Sequence, residues 1–292
     1  EFSNATGITT IALGDTTVDA TALAATIDSL DTLNGDATTG ITLESEATIN
    51  VAASEVTHIL LDETQNRLDI TDQNIVVTGS ISVDDANLLS ATTTGVVTAS
   101  IATTESVNEL KTLTETSNAY TIVISSADAT AAAEDLSTLD AKTTVTIDAS
   151  EVTSLTGTYA EITALYESAG VGNLGNEAVS VSGELTVSQA NVIDGLTTGA
   201  ITATIGNSRV SELVGGTPLL NANNNNAYTI VVSTEDAAVS ASDLNAINGL
   251  TTLAVDLTNV TSITSSSLVD LGTLGAAIGN DEFTNDSGFT TI

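Results

Sequence analysis

The chain of 292 residues contains no Cys, Met or Trp, and only three Phe and four Tyr. Without Cys it can form neither a disulfide framework nor a thiolate metal site. A rounded core of this size normally depends on large side chains, yet aromatic residues make up only 2% of the sequence. The apolar residues are instead Ala, Val, Leu and Ile in short runs, which favours a thin core that repeats along the chain.

Basic residues are also scarce. Arg67, Lys111, Lys142 and Arg209 stand against 38 acidic residues, and the formal net charge is −34. This excludes nucleic acid as a partner, because nucleic-acid binding needs a basic face, and it disfavours anionic membranes. No apolar run is long enough to span a bilayer, so we expect no membrane insertion. Self-repulsion must be screened by salt or divalent cations, which predicts a saline medium that contains calcium.

The low complexity of the sequence raises the possibility of disorder, which the composition argues against. Disordered chains are poor in apolar and β-branched residues. Here the mean hydropathy is +0.26, and Val, Ile and Thr are abundant. We therefore expect most of the chain to fold.

The first eleven residues recur at the end of the chain. Residues 1–11 read EFSNATGITTI and residues 282–292 read EFTNDSGFTTI, an offset of 282 − 1 = 281. We call residues 282–292 the seam and interpret them as the start of the next period of a longer tandem array. Because the sequence has no Met, we expect it to be an excerpt or a processed product of a longer polypeptide.

Shorter repeats lie inside this period. IVVTGSISVDDANLLSATTTGVVTASI at 75–101 matches VSVSGELTVSQANVIDGLTTGAITATI at 179–205, with an offset of 197 − 93 = 104 between the Thr-Thr-Gly motifs. NAYTIVIS at 118–125 matches NAYTIVVS at 226–233, with an offset of 226 − 118 = 108. The extra residues predict an insertion in the Asn-rich run at 223–226. These matches predict one continuous domain over 1–292, with sub-repeats at 1–74, 75–178 and 179–281.

Strand and helix signals alternate along the chain. Short runs rich in Val, Ile and Thr predict strands at intervals of roughly 20–30 residues. Segments such as 82–89, 187–193 and 239–247 have a capping residue and apolar residues at three- and four-residue spacing, which predicts short helices. Alternating strands and helices favour parallel pairing with right-handed crossovers.

We therefore predict a mainly β protein with short helices, built as a right-handed parallel β-solenoid. The alternative is a series of tandem β-sandwich modules. That architecture requires hairpin turns, whereas the Asn-Gly and Asp-Gly pairs of this sequence follow helical patterns.

The repeated elements SVDDANLL…TTGVVTASI and LTVSQANVI…TTGAITATI resemble the giant tandem-repeat cell-surface proteins of marine bacteria, especially cyanobacteria. More loosely, they resemble surface-layer proteins and long adhesins. The resemblance covers most of the chain and is compositional, without a catalytic signature. It implies an exported, calcium-associated protein that self-associates in a surface layer or filament. The sequence departs from such families in lacking glycine–aspartate calcium nonapeptides.

Acidic clusters are the candidates for metal binding. Glu282 and Asp286 lie in the seam and Asp281 directly precedes it, and Asp84 and Asp85 adjoin each other in the segment 82–89. Calcium prefers oxygen ligands from carboxylates, amides and carbonyls. We predict weak calcium sites at these five residues, with solvated surfaces and helix caps as the alternative. Calcium is the only cofactor expected.

No catalytic signature is present, and we predict that the chain is not an enzyme. His58 is the only histidine; it lies in a strand-like run without a nucleophile motif, and Ser154 occupies its place in the matching repeat. Tyr120 and Tyr228 are repeat equivalents, which favours a packing role. The Thr-Thr pairs are too unevenly spaced for a regular ice-binding lattice.

The predicted function is a structural repeat module of an extracellular fibre, sheath or surface layer, which associates with itself and is screened by calcium. One alternative is the stalk of a bacterial adhesin or phage fibre that carries a binding tip elsewhere. A more distant alternative is a polysaccharide-acting β-helix enzyme, which the four basic residues disfavour.

Overall fold

The computed structural model describes residues 10–13, 17–23, 25–26, 40–43, 46–65, 67–206, 209–215, 220–221, 225–265 and 267–288. Residues 1–9 of the first copy of the terminal repeat, and residues 223 and 224 of the predicted insertion at 223–226, lie outside these residues. The chain forms two compact units. The first comprises Glu1–Asp128, Asp135–Glu151 and Ala169–Gly172, and the second comprises Ala129–Glu134, Val152–Ser168 and Asn173–Ile292.

The first unit is built on short parallel sheets. Its strands are β1 (Thr10–Leu13), β2 (Thr17–Asp19), β3 (Gly40–Leu43), β4 (Thr48–Ala52), β5 (Leu68–Asp69), β6 (Asn74–Ile81), β7 (Val97–Ile101), β8 (Ala119–Thr121), β10 (Ile147–Asp148) and β12 (Val171–Gly172). The sheet orders are β2-β4-β6-β7-β8, β1-β3-β5 and β10-β12, so neighbours follow chain order. In β4, Ile49 and Val51 are buried and the residues between them are not, as expected for a strand with one face in the core.

The second unit repeats this arrangement. Its strands are β9 (Thr130–Ala132), β11 (Ser154–Thr158), β13 (Ala178–Leu185), β14 (Ile201–Ile205), β15 (Ala227–Ile230), β16 (Ala238–Ser240), β17 (Val255–Asp256), β18 (Ser262–Thr264) and β19 (Phe283–Thr284). The sheet orders are β9-β11-β13-β14-β15, β16-β18 and β17-β19.

Short helices follow many of the strands directly. They are α1 (Val56–Thr64), α2 (Val83–Thr92), α3 (Val107–Leu110), α4 (Ala133–Asp140), α5 (Tyr159–Glu167), α6 (Val187–Asp194), α7 (Ala241–Asn248) and α8 (Leu268–Gly279). Shorter 3-10 helices span Ala53–Glu55, Ser126–Asp128 and Asp286–Gly288, and a π-helix spans Ser211–Gly215. At the start of α6, the Gln189 backbone N–H donates to Thr186 Oγ1, and the Gln189 side chain accepts from the Thr186 backbone N–H. A cap of this kind is worth about 1 kcal/mol, which matters for helices of two or three turns.

A repeated bulge shapes the longest strand of each unit. The register between β6 and β7 shifts between Val76 and Ser80, and that between β13 and β14 shifts between Ser180 and Glu184. Gly79 and Gly183 lie inside these shifts with φ angles of 98° and 86°. Only glycine adopts such angles without strain, so each glycine permits the extra residues to bulge out of the ladder.

The predicted fold class is wrong. The chain is a mixed α/β protein with about 37% helix and several separate short parallel sheets, not a mainly β right-handed parallel β-solenoid. The alternative of tandem β-sandwich modules is wrong as well, because the strand pairs of the described residues are all parallel. The prediction of parallel pairing itself is confirmed. The sub-repeat boundaries at 1–74, 75–178 and 179–281 stay predictions.

The predicted fold class is wrong because the chain contains more helix than its sequence patterns indicate. The strand-like run around His58 is not a strand, because residues 58–61 lie in α1. The buried residues of α1 are Val56, Ile59 and Asp62, a three-residue spacing that marks one helix face. Helix α8 is not among the predicted helices, and its glycines Gly272, Gly275 and Gly279 are residues that disfavour a helix. Within the described residues, every helix is too short or too polar to span a bilayer.

Candidate functional site

The seam begins with β19, which is part of the packing of the second unit. Strand β19 pairs in parallel with β17, and Phe283 is buried. The backbone N–H of Val255 donates to Glu282 O at 3.0 Å, and that of Leu257 donates to Thr284 O at 3.0 Å. The start of the repeated stretch is therefore held by backbone pairing. Residues 289–292 lie outside the described part of the chain.

The three acidic residues predicted as a metal site at the seam have separate surroundings. Glu282 accepts hydrogen bonds from the side-chain amides of Asn248 and Asn280. Asp281 is exposed and has a φ angle of 60°, and Asp286 lies in the first turn of a 3-10 helix. The three residues thus lie in the short segments that flank β19, and Glu282 is bound there by two side-chain amides.

Asp256, a neighbouring carboxylate that the sequence did not single out, accepts more hydrogen bonds than these three residues. Asp256 Oδ1 accepts from the Thr258 backbone N–H at 2.8 Å, from Thr258 Oγ1 at 2.7 Å and from Asn285 Nδ2 at 2.8 Å. Partial burial alone would raise the pKa of Asp256, but the hydrogen bonds from Thr258 and Asn285 together hold it below its ordinary value. The Asp-Leu-Thr sequence at 256–258 could have indicated this turn. Asn285 thus ties the seam to β17.

The second predicted metal pair lies at a helix start. Asp84 and Asp85 occupy the first turn of α2, where negative charge is favourable against the helix dipole. Asp85 Oδ2 accepts from Ser82 Oγ at 2.9 Å, and Ser82 Oγ accepts from the Asp85 backbone N–H at 3.1 Å. Asp84 is exposed. This arrangement corresponds to the helix-cap alternative for these two residues.

No group of three His, Cys, Asp or Glu side chains converges among the described residues in a way that could hold a metal ion. The carboxylates present therefore do not form a built calcium site in that part of the chain. The five predicted calcium ligands stay a prediction of weak binding.

A buried polar cluster joins strands and helices in the first unit; we call it the Asn118 cluster (Ser90, Asn118 and Tyr120). Asn118 Nδ2 donates to Ser90 Oγ at 2.9 Å and to Tyr120 Oη at 3.0 Å. Asn118 Oδ1 accepts from the Val97 backbone N–H at 2.8 Å, and Tyr120 Oη donates to Ala86 O at 3.3 Å. All three residues of the cluster are buried, so these contacts satisfy groups that water cannot reach.

The second unit contains the equivalent Asn226 cluster (Asp194, Asn221, Asn226 and Tyr228). Asn226 Nδ2 donates to Asp194 Oδ1 and to Tyr228 Oη, both at 3.0 Å, and Asn226 Oδ1 accepts from the Ile201 backbone N–H at 2.8 Å. Asn221 Nδ2 donates to Asp194 Oδ2 at 3.0 Å. A buried carboxylate thus stands where the first unit has the hydroxyl of Ser90.

The surroundings of the two tyrosines affect their acidity. Burial raises the pKa of Tyr120, while hydrogen bonds with Ser90 and Asn118 act against that rise. Burial raises the pKa of Tyr228 further above its ordinary value, and the negative charge of Asp194 adds to the increase. Tyr120 and Tyr228 are among the largest fully buried side chains, which agrees with their predicted packing role.

The Thr-Thr pairs form a second repeated connection. Thr93 Oγ1 donates to Gln73 O at 2.6 Å, and Thr94 Oγ1 donates to Thr71 O at 3.1 Å. Their equivalents Thr197 and Thr198 donate to Glu177 O at 2.6 Å and to Gly175 O at 3.3 Å. The pairs 143–144 and 251–252 make the same two bonds to carbonyls of the preceding strand segment. Each of these four pairs therefore links one segment to the previous one by side-chain bonds.

The remaining candidates for chemistry have local partners. His58 Nδ1 lies 3.6 Å from Glu55 Oε2 at the surface of α1. A cleft of about 330 Å³ in the second unit is lined by Val210, Asp236 and Asp243, among others. Asp236 Oδ2 accepts from the Val210 backbone N–H at 2.7 Å, and Asp243 Oδ2 accepts from Ser240 Oγ at 2.7 Å. The Asp236 carboxylate therefore holds the backbone of Val210, and that of Asp243 binds the hydroxyl that caps the start of α7.

Comparison with known proteins finds no family model, no curated protein and no solved structure that matches this chain.

Proposed function

We propose that this chain is a structural module of an extracellular fibre, sheath or surface layer, which associates with copies of itself in the presence of calcium. The observation that carries the proposal is the recurrence of the Asn–Tyr clusters and the Thr-Thr bonds in both units. Function in proteins normally resides in one local constellation on the fold. Polar side chains that recur at the same positions and bind their own backbone are typical of a scaffold.

Self-association is supported by the sheet edges. Among the described strands, β2 pairs only with β4, and β18 pairs only with β16. An open edge carries unpaired backbone groups that pair readily with another strand. A module with such edges can extend by adding copies.

The role proposed for calcium follows from the negative charge of the chain. A net charge of −34 opposes the approach of two copies, and divalent cations screen such repulsion more strongly than sodium at equal concentration. Because the described residues lack a converged carboxylate site, calcium acts in this proposal as a counterion, with weak binding at Asp281, Glu282 and Asp286. This role suits an exported protein in a calcium-bearing medium.

The proposal is tested on the purified chain by sedimentation velocity and negative-stain electron microscopy. Both are done with calcium, with a chelator, and with sodium chloride at matched ionic strength. We expect filaments or sheets with calcium, monomers with the chelator, and partial association in sodium chloride. Monomers under all three conditions would contradict the proposal.

A further inference from the structure

The cleft of about 330 Å³ in the second unit lies between the π-helix Ser211–Gly215 and the start of α7. Asp236 and Asp243 both line it, and both residues are half-buried. Asp236 Oδ2 accepts from the Val210 backbone N–H, and Asp243 Oδ2 accepts from Ser240 Oγ. Within the described residues, Oδ1 of each carboxylate has no hydrogen-bond donor. The cleft therefore combines open space with two carboxylate oxygens that are free to bind a donor.

The first unit has a lysine where this cleft has a valine. Residues 107–111 read Val-Asn-Glu-Leu-Lys and residues 210–214 read Val-Ser-Glu-Leu-Val, an offset of 210 − 107 = 103. Lys111 therefore corresponds to Val214, and Val214 lines the cleft. The side chain that would fill this space in the first unit is thus absent from the second.

The backbone contacts of the two units support this correspondence. The Val107 backbone N–H donates to Asp128 Oδ2 at 3.1 Å, and the Val210 backbone N–H donates to Asp236 Oδ2 at 2.7 Å. The two aspartates are 236 − 128 = 108 residues apart, the offset of the neighbouring NAYTIV repeats. The same carboxylate thus holds the same backbone group beside each site.

An ammonium group occupies the site in the first unit. Lys111 Nζ donates to Asp135 Oδ1 at 2.6 Å, a charge-assisted hydrogen bond between side chains that are 27% and 34% exposed. Asp135 corresponds to Asp243, because 243 − 135 = 108, and the two residues lie near the starts of α4 and α7. The first unit therefore neutralises this carboxylate with its own lysine, and the second unit has no lysine there.

Neither carboxylate of the cleft has an ion-pair partner among the described residues. Arg209 lies nearby in the sequence, but its guanidinium pairs with Glu235 at the surface. The stretches outside the described residues on either side of the π-helix contain no ionisable side chain, at 207–208 and 216–219. The cation that would match the Lys111 ammonium must therefore come from another molecule.

We propose that this cleft binds a primary alkylammonium group in the position that the Lys111 ammonium takes in the first unit. The ammonium donates to Asp243 Oδ1, Asp236 provides the second negative charge, and the alkyl carbons lie against Val214. The group belongs either to a free amine or to a lysine side chain of another molecule, and its chemistry is the same in both. This binding does not depend on the proposed self-association or on calcium.

The first test is amide NMR on the purified chain in calcium-free buffer, with n-butylammonium chloride as the probe at constant ionic strength. We expect a dissociation constant of about 1–10 mM, as suits so small a ligand, with the largest shifts at Val210, Asp236 and Asp243. Tetramethylammonium has the same charge but no N–H donor, so we expect it to bind about tenfold more weakly or less. Equal shifts with the two cations, or none with butylammonium, would overturn the proposal.

Exchanging the two side chains between the units locates the binding. Val214→Lys supplies the lysine of the first unit, and we expect it to weaken butylammonium binding by about tenfold or more, because its own ammonium occupies the cleft. Lys111→Val opens the site in the first unit, and we expect a second set of shifts at Asp128 and Asp135. The matched control is Val192→Lys, which adds the same charge at an exposed position of α6 and is expected to bind like the native chain. Unchanged binding in Val214→Lys would overturn the proposal, and this variant removes no polar contact of the native fold.

Two further probes identify the ligand. N-acetyl-lysine amide carries the same ammonium on a peptide backbone; binding as tight as that of butylammonium would assign the cleft to a lysine side chain, and weaker binding would assign it to a free amine. Calcium chloride at matched ionic strength tests the competing cation, since calcium also prefers carboxylate oxygens. Displacement of butylammonium by calcium below about 1 mM would overturn the amine as the ligand. Because these measurements need no assembly, their failure is distinct from failure of the proposed self-association.

Discussion

The two units contain equivalent buried polar clusters that differ in the group bound by the central asparagine. In the Asn118 cluster, the amide of Asn118 meets the hydroxyl of Ser90; in the Asn226 cluster, the amide of Asn226 meets the carboxylate of Asp194. The asparagines are 226 − 118 = 108 residues apart, and Ser90 and Asp194 are 194 − 90 = 104 apart. The surrounding bonds to Tyr120 and Tyr228 are the same in both units.

At a second pair of equivalent positions, the first unit again has a neutral side chain where the second has a carboxylate. Gln73 in the first unit corresponds to Glu177 in the second, again 177 − 73 = 104 residues later, and both are buried. Glu177 Oε2 accepts from the backbone N–H groups of Gly175 at 2.8 Å and Asn176 at 3.0 Å. In both residues Oε1 has no hydrogen-bond partner. The second unit therefore buries two carboxylates where the first buries neutral groups.

The comparison indicates what makes a buried carboxylate acceptable in this fold. Burying a charge is costly unless donors surround it. Asp194 gains the amide of Asn221 in addition to that of Asn226, and Glu177 gains two backbone N–H groups. A carboxylate can therefore be buried in this fold where side-chain amides or backbone N–H groups of a nearby loop donate hydrogen bonds to it. We therefore expect the largest loss in the free energy of unfolding from substitutions that remove a hydrogen-bond donor to one of these carboxylates.

The largest difference between the units is expected from replacing the central asparagine by aspartate. Asn226→Asp removes a donor to Asp194 and sets two carboxylates side by side, so we expect a loss of about 3–5 kcal/mol in the free energy of unfolding. In Asn118→Asp the hydroxyls of Ser90 and Tyr120 can turn to donate, and we expect about 1–3 kcal/mol. Urea unfolding at neutral pH measures both.

The pairing of Asn226 with Asp194 can be isolated with a third protein. Adding Asp194→Ser to Asn226→Asp gives the aspartate–serine pair of the Asn118→Asp variant, and we expect it to recover most of the difference between the two single variants. Equal losses for Asn118→Asp and Asn226→Asp would show that Asp194 does not decide the energetics of its cluster.

A glycine substitution should instead affect both units alike. A Cβ atom at Gly95 would lie 2.2 Å from Gln73 O, and one at Gly199 would lie 2.2 Å from Glu177 O. Both neighbours are backbone atoms that cannot rotate away. We therefore expect Gly95→Ala and Gly199→Ala each to cost about 1–3 kcal/mol in urea unfolding.

The control for these two variants is Gly272→Ala in α8, where a Cβ would meet open space. In calcium-free buffer we expect it to stabilise the chain by about 0.5–1 kcal/mol, since alanine favours a helix. Unequal costs at Gly95 and Gly199 would show that the backbone packing of the two units differs more than the repeat indicates.

Some of these features could be predicted from the sequence. The repeat offsets of 104 and 108 located the equivalent tyrosines, asparagines and Thr-Thr pairs, and short runs rich in Val, Ile and Thr such as 75–79 located strands. Parallel pairing followed from the alternation of strands and helices. These features depend on local patterns, which a single sequence carries.

Other features depend on contacts that the sequence does not encode locally. Helix α1 contains β-branched Val56 and Ile59, and its helical state follows from burial of one face. Asp194 ends α6, where its burial depends on Asn221 and Asn226 from distant parts of the chain. Asp256 acquires its donor Asn285 from the seam. A carboxylate's partners cannot be identified before the fold brings them together.

The smallest difference between the units is expected at alkaline pH. Burial raises the pKa of both Tyr120 and Tyr228, and Asp194 raises that of Tyr228 further. A raised pKa means that the folded state favours the neutral phenol. Its contribution to stability is fully present below the ordinary tyrosine pKa of about 10 and is lost as the pH rises through the pKa of the folded state.

Replacement by phenylalanine removes this titration. At neutral pH, Tyr120→Phe and Tyr228→Phe each lose one bond from an asparagine amide, and Tyr120→Phe also loses the longer bond to Ala86 O; we expect about 0.5–1.5 kcal/mol of destabilisation per bond lost. Above about pH 10, where an unfolded tyrosine ionises, both variants should lose less stability than the native chain, Tyr228→Phe least of all. Urea unfolding from neutral to alkaline pH measures the two slopes. In Asp194→Ser the slope due to Tyr228 should approach that due to Tyr120, because the charge that separates the two clusters is gone; an unchanged slope would locate the difference in burial alone.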